Sequence, residues 1–263
     1  MDKKKLLDQV SGEDRMLLAR VLDRAEQAEQ RNIPACTDFL SPAQRTAAED
    51  LLRRAGVSPD RWAAWGGYGG AERQAIVFLP DWLEAADAPE QLPLRYLRAA
   101  YRPENKLTHR DILGSLMGLG IVREKVGDLL VSDSGCDIVV LDSVAEFLLQ
   151  SWTGAGRAKL TVTEIGPENL HIPVVQCREV RDTVATLRLD AVASTGFRMA
   201  RGKAAALIES GKVQVNWREC TKPDKPLSQG DTVSARGFGK FELAEVGGMT
   251  KKGRLPILLK IYV

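Results

Sequence analysis

The chain reads as an α+β protein in three parts, and three patterns say so. Residues 1–91 are dominated by helical periodicity with a strand near their end, a mostly helical α/β domain. Residues 92–180 run strand, helix, strand, strand, helix, strand. Residues 181–263 open on two short amphipathic helices and continue into alternating strands. A length of 263 residues suits two or three domains. No run of 18 apolar residues occurs, so no membrane span is expected, and Met1-Asp2-Lys3-Lys4-Lys5-Leu6-Leu7 lacks the apolar stretch of a secretion signal. Cys36, Cys136, Cys177 and Cys220 stand far apart with no C-x-x-C, which suits a reducing cytoplasm and writes neither a zinc ribbon nor a redox pair.

In the first domain, Leu6, Leu7 and Val10, then Met16, Leu17, Ala19 and Leu22, recur at helical intervals, with a break and capping start at Ser11-Gly12-Glu13-Asp14. Asn32-Ile33-Pro34 ends that block. Ser41-Pro42 caps a second helix that runs to about Arg54, and Gly56 stops it. The glycine cluster of Trp65-Gly66-Gly67-Tyr68-Gly69-Gly70-Ala71-Glu72-Arg73 lacks the G-x-x-x-x-G-K-[ST] of a phosphate loop, so it is read as a tight turn before the strand Ala75–Pro80. Glu72 and Arg73 either pair locally or touch RNA.

In the middle domain, Leu94–Tyr101 alternates as a strand, and Thr108 caps a helix to about Leu119. Strands Gly127–Val131 and Cys136–Leu141 flank the turn Ser132–Gly135. Ser143 is expected to cap a helix to Trp152, and Lys159–Ile165 is the last strand. This order is that of a ferredoxin-like, RRM-like sandwich. Base stacking on its sheet is not expected, because Cys136–Leu141 has no aromatic and Tyr96 and Tyr101 fall on opposite faces of their strand.

The C-terminal domain carries the clearest signal. Leu189, Val192 and Ala193, then Ala204, Leu207 and Ile208, mark two helices, with Thr195-Gly196 read as the turn between them. Gly211 ends the second, Lys212–Val215 alternates as a strand, Asn216-Trp217 starts a turn, and Asp231–Ala235 is a second strand. Fourteen Lys and Arg face seven Asp and Glu from residue 188 onward, against 23 and 28 before it, so the positive charge is gathered at one end. Arg188 opens the first helix. Arg198, Arg201 and Lys203 surround the start of the second, followed by Lys212, Arg218, Lys222, Arg236 and Lys240. Cations at a helix start oppose the macrodipole, so their purpose is a phosphate rather than the helix.

The string R-L-D, R-x-A-R-x-K-A, L-I-x-x-G-x-V-x-V-N and G-D-x-x-x-x-R-G over residues 186–240 resembles the S4 RNA-binding domain. With the G-G-Y-x-G-A-E-R turn and Leu107–Asp128, the chain resembles the YlmH-type family of S4-domain proteins of bacteria and plastids, most weakly over residues 1–60. That resemblance implies an N-terminal domain (1–91), an RRM-like middle (92–180) and an S4 domain (181–263). It also implies ribosome-associated RNA binding, since related small S4 proteins hold peptidyl-tRNA on obstructed large ribosomal subunits during quality control. Carried onto this chain, Arg188 and Arg201 should be the strongest RNA contacts, with Lys203 and Asn216 behind them. Trp217 is a departure: many S4 domains have Gly there, so a stacking or packing role is open to it and the tight turn is not assured.

His109-Arg110-Asp111 shares three letters with the kinase catalytic loop, but Leu116 stands where its Asn should be. His109, Arg110, Arg123 and Lys125 are therefore secondary candidates for RNA contact. With two histidines and no cysteine cluster, neither a metal nor a cofactor is expected. Two other readings stay open. An S4-containing pseudouridine synthase would use the Asp of R-L-D, here Asp190, as its catalytic group, although the chain has no room for the separate catalytic domain. A scaffold would recruit a protein through its acidic front and use the tail as a tether. The reading taken forward is a monomeric, non-enzymatic, cytoplasmic protein that docks on ribosomal RNA or tRNA of the large subunit.

Overall fold

The structure, a computed structural model, describes residues 3–8, 10, 12, 14–173 and 177–262. The chain divides into two compact units, 1–173 and 174–263.

In the first unit, α1 (Lys3–Leu7), α2 (Asp14–Arg31) and α3 (Pro42–Arg54) cover a small sheet of β1 (Ala35–Cys36), β2 (Trp62–Trp65) and β3 (Ala75–Phe78), in the order β1-β3-β2. The expected start of α2 falls partly on Ser11 and Glu13, which lie outside the described residues. Ser41 caps α3 as its sequence requires: the Gln44 amide donates to Ser41 Oγ (3.3 Å) and the Ser41 amide donates to Gln44 Oε1 (2.9 Å). Leu18, Leu22, Leu51 and Leu52 bury the inner faces of α2 and α3 against Ile76 and Phe78 of β3.

A short helix, α4 (Ala88–Gln91), leads to β4 (Leu94–Ala100), α5 (His109–Gly118), β5 (Val126–Val131), β6 (Gly135–Leu141) and α6 (Asp142–Ser151). A small hairpin, β7 (Gly154–Ala155) and β8 (Ala158–Lys159), precedes β9 (Thr161–Ile165). The four long strands form one antiparallel sheet in the order β5-β6-β4-β9. Two sequence expectations need correction. Leu141, not Ser143, occupies the N-cap of α6. Leu160, expected within the last strand, instead separates β8 from β9, its amide donating to the Thr153 carbonyl (2.9 Å).

Leu97, Ala99, Ile138 and Val140 pack beneath Ile112 and Leu116 of α5 and Ala145 and Leu148 of α6. The other face of this sheet is not open. Tyr96, Val139 and Leu141 pack on Ala75 and Val77, the side of β3 turned away from the helices, with Phe39 and Leu92 completing the cluster. β3 is thus buried on both sides, as its unbroken Ala-Ile-Val-Phe run suggests. Tyr96 and Tyr101 do lie on opposite faces, in separate cores.

The second unit holds β10 (Cys177–Val184), α7 (Leu189–Gly196), α8 (Arg201–Glu209), β11 (Val213–Val215), β12 (Arg218–Glu219), β13 (Thr232–Ala235), β14 (Gly239–Val246) and β15 (Leu255–Tyr262). Its strands make one six-stranded sheet, β10-β15-β14-β13-β11-β12, of which only β11 and β13 were expected. Leu189, Val192 and Ala193 of α7 and Ala204 and Ile208 of α8 pack on Val213, Val233, Phe241, Leu243 and Leu259. Asn169–Pro173 is the end of a short 3-10 turn followed by irregular chain.

Candidate nucleic-acid interface

Thr195 and Gly196 do not separate the two helices; they form the last turn of α7. A Cβ on Gly196 would come within 2.3 Å of the Phe241 ring, so glycine is needed there for close packing rather than for a turn. The actual turn is Phe197–Ala200, and Arg198 takes its left-handed position at φ 52°. Few non-glycine residues rest there, which is a mark of local strain.

That geometry returns the start of α8 to the start of α7. Asp190 does not cap α7, since no side-chain cap bond is made at that end. It sits 5% exposed between two arginines. Arg201 donates from Nε to Oδ2 (3.1 Å) and from Nη2 to Oδ1 (3.1 Å). Arg188 donates from Nε to Oδ1 (3.2 Å) and from Nη2 to Oδ2 (3.3 Å). Burial pushes the Asp190 carboxyl up, but the hydrogen bonds from Arg188 and Arg201 together outweigh it and hold the carboxyl below its ordinary value. Arg188 is in turn held above its usual value, chiefly by its bond to Asp190. One carboxylate thus orients two guanidinium groups and leaves the cluster with a net positive charge. Their side chains stay 41% and 54% exposed, and among the described residues no partner is recorded for either Nη1.

The other expected contacts fall in different places. Arg198, Lys203, Lys212, Arg218, Lys222 and Arg236 are exposed. Asn216 is engaged inside the protein: its Nδ2 donates to Asp231 Oδ1 (2.7 Å), and its Oδ1 accepts from the Thr232 amide (2.9 Å). These bonds hold the tight turn that Trp217 put in question, with Asn216 at φ 50° and Trp217 at φ 59°. Lys240 lies on the far side of the sheet. Its neighbour Phe241 faces α7, so alternation turns Lys240 away, over the ring of Tyr262 at 4.8 Å.

The sequence did not single out three aromatics here. Phe241 is fully buried, Phe197 meets it edge-on at 5.0 Å, and Phe238 continues the row at 6.1 Å from Phe197 while remaining 53% exposed. The available signal was an aromatic between two glycines in the basic string Arg236-Gly237-Phe238-Gly239-Lys240.

In the first unit the secondary candidates divide. Arg110 is exposed at the start of α5. His109 beside it is held below its ordinary value by partial burial of the ring and then by the Arg123 guanidinium, which keeps it neutral near pH 7. Arg123 points inward, donating to the carbonyls of Val126 and Gly127; burial, then repulsion from Arg73, lowers it to about 10. Lys125 pairs with Asp38 at 2.7 Å. The glycine-rich turn is clasped by Asp128, which accepts from Tyr68 Oη (2.8 Å) and from the amides of Glu72 (2.7 Å) and Arg73 (3.0 Å). Amides of the kind a phosphate would use are therefore already occupied by a carboxylate. The Arg73 side chain is turned to the carbonyls of Val126, Phe39 and Arg123.

The YlmH N-terminal family model matches residues 13–81, the model described as "Putative RNA-binding domain in YlmH" matches 101–169, and the S4 domain model matches 187–233. A curated relative, "Ribosome-associated protein quality control protein P2" of Bacillus subtilis (strain 168), is 34% identical over 218 residues, covering 83% of each chain. The chain belongs to the YlmH family of S4-domain proteins. A solved YlmH structure, titled "Cell division protein ylmH from Streptococcus pneumoniae", shares the fold with a TM-score of 0.51 at 19% identity, covering 62% of this chain and 98% of that one. No helix among the described residues of this YlmH-family chain is long and apolar enough to cross a membrane.

Proposed function

We propose that this YlmH-family chain is a cytoplasmic, monomeric RNA-binding protein. In this reading it docks through its second unit on ribosomal RNA or tRNA of the large ribosomal subunit, in the quality control of stalled translation. The name of the Bacillus relative supports the ribosomal setting. The observation that carries the binding mode is the Asp190 cluster, two arginines fixed side by side with outward N–H groups and with Arg198 and Lys203 nearby in sequence. Guanidinium groups arranged this way suit phosphate oxygens, and a carboxylate that orients them beforehand reduces the ordering that binding must supply.

Residues 94–165 belong in this reading to the ferredoxin-like, RRM-like class. Their strand order β5-β6-β4-β9, with both helices on one face, supports that assignment. Because the opposite face packs on β3, RNA contact is assigned to the second unit. Titrating purified large ribosomal subunits with the full chain tests the proposal. Saturable, strongly salt-dependent binding is expected, weakened on the order of 100-fold by Arg201→Glu and hardly changed by Glu72→Ala. Equal losses in both variants would defeat it.

Support for binding over catalysis comes from the same carboxylate, since both oxygens of Asp190 already accept from arginines. A pseudouridine assay on ribosomal RNA with the natural chain and Asp190→Asn is expected to find no modification by either. Modification lost only in the variant would favour an enzyme.

A further inference from the structure

Phe238 has no role in the phosphate contacts proposed above, and its setting is unusual. The turn joining β13 to β14 is Arg236-Gly237-Phe238, and Gly237 and Gly239 both take left-handed backbone angles, φ 86° and 91°. Phe238 therefore sits between two residues that only glycine fits without strain. The Phe238 amide donates back to the Ala235 carbonyl (3.0 Å), which fixes the loop. Its ring rests on Phe197, and Phe197 rests on the buried Phe241, so an aromatic row runs from the core to the surface and ends in a ring that is 53% exposed.

Cations flank that ring on three elements. Arg198 adjoins Phe197 in the strained helix–helix turn, Arg236 opens the Phe238 loop, and the Arg236 amide donates to the Lys212 carbonyl (3.4 Å). All three cations are exposed. An exposed aromatic flanked by Arg and Lys has the chemistry of a platform for an unpaired nucleobase whose adjoining phosphates meet the cations.

We propose that Phe238, supported by Phe197, stacks an unpaired base of the bound RNA, with Arg198, Lys212 and Arg236 holding the adjoining phosphates. This rests on the RNA-binding reading of the second unit and adds a preference for single-stranded or looped RNA to it. The platform stands beside the C-terminal end of α7, while the Asp190 cluster stands at its start. Eight helical residues span about 12 Å, so the two contacts would be made by different nucleotides.

The test uses the full chain and two RNA probes with the same stem: a hairpin whose unpaired loop carries 2-aminopurine, and a blunt duplex. The natural chain should quench the 2-aminopurine and bind the hairpin more tightly. Phe238→Ala should lose about tenfold of the hairpin affinity and the quench, while duplex binding stays the same. Phe238→Trp should retain both. Phe238→Leu preserves apolar packing on Phe197 but should behave like Phe238→Ala, and thermal melts should show each variant folded. If Phe238→Ala, or Phe238→Leu alone, binds the hairpin as the natural chain does, stacking is overturned while RNA binding stands. If the natural chain binds neither probe nor ribosomal subunits, the underlying reading fails and the platform with it. Self-association by sedimentation that Phe238→Ala abolishes would assign the ring to a second copy of the chain and also overturn the proposal.

Discussion

Asp137 in β6 and Asp190 in α7 are the buried acids among the described residues, 3% and 5% exposed, and each is held by arginine. Asp137 takes two bonds from Arg98 (2.6 and 2.7 Å) and one from the His171 amide (2.7 Å), and Arg98 Nη2 also donates to the Asn169 carbonyl (2.6 Å). That arginine is turned inward, its side chain 27% exposed, and closed over by the chain around Asn169–His171. Asp190 instead meets two arginines that remain about half open to water. Both sites obey the same rule, since a buried carboxylate must have cationic or hydrogen-bonding partners. They differ in where the remaining donors of each guanidinium point. Donors aimed at backbone make a structural joint, whereas donors aimed at solvent can receive an anion.

The largest expected effect breaks the closed site. Asp137→Ala should reduce unfolding free energy by about 3 kcal/mol in a urea titration, because Arg98 and the His171 amide lose their acceptor. RNA affinity of the folded protein should not change. Arg201→Lys attacks the open site more gently: the charge survives but the paired donation to Asp190 does not, and filter binding should show a loss of about tenfold. Acid separates the natural chain from a neutral variant. The folded-state value of Asp190 is depressed, so its contribution is present at neutral pH and is lost as pH falls through that value, below the ordinary 3.8. Melting temperature between pH 5 and 3 should therefore fall less steeply in Asp190→Asn than in the natural chain. The smallest effect belongs to Lys240→Ala, on the far side of the sheet, where RNA affinity should change by less than about twofold. A loss there equal to that of Arg201→Lys would move the interface to the other face.

Local signals in the sequence located much of this. Ser41 and Thr108 announce their helices because a side-chain cap and a partner three residues on lie within one short string, and both capping boxes form. The S4 string placed Arg188 and Arg201 in one candidate site, which the structure brings onto a shared carboxylate. What escaped depends on partners distant in the chain. β14 alternates as Lys240-Phe241-Glu242-Leu243, but an irregularity between Leu243 and Glu245 breaks the period, and Pro256 obscures β15. Thr195-Gly196 looks like a turn until Phe241, 45 residues on, is seen against that glycine. Arg123 reads as a free surface cation because nothing in its neighbourhood of the sequence shows the carbonyls and the second arginine it meets. The Phe238 platform was hidden likewise, since its supporting ring lies in another element.

β3, with apolar neighbours on either side, has a practical consequence for anyone who would dissect the protein. A fragment beginning near Leu92 would bare the patch of Tyr96, Val139 and Leu141 to water and would tend to clump. One ending there would leave Ala75 and Val77 equally naked. The first 173 residues should accordingly melt in a single step, and that whole span is the shortest piece worth expressing without the tail.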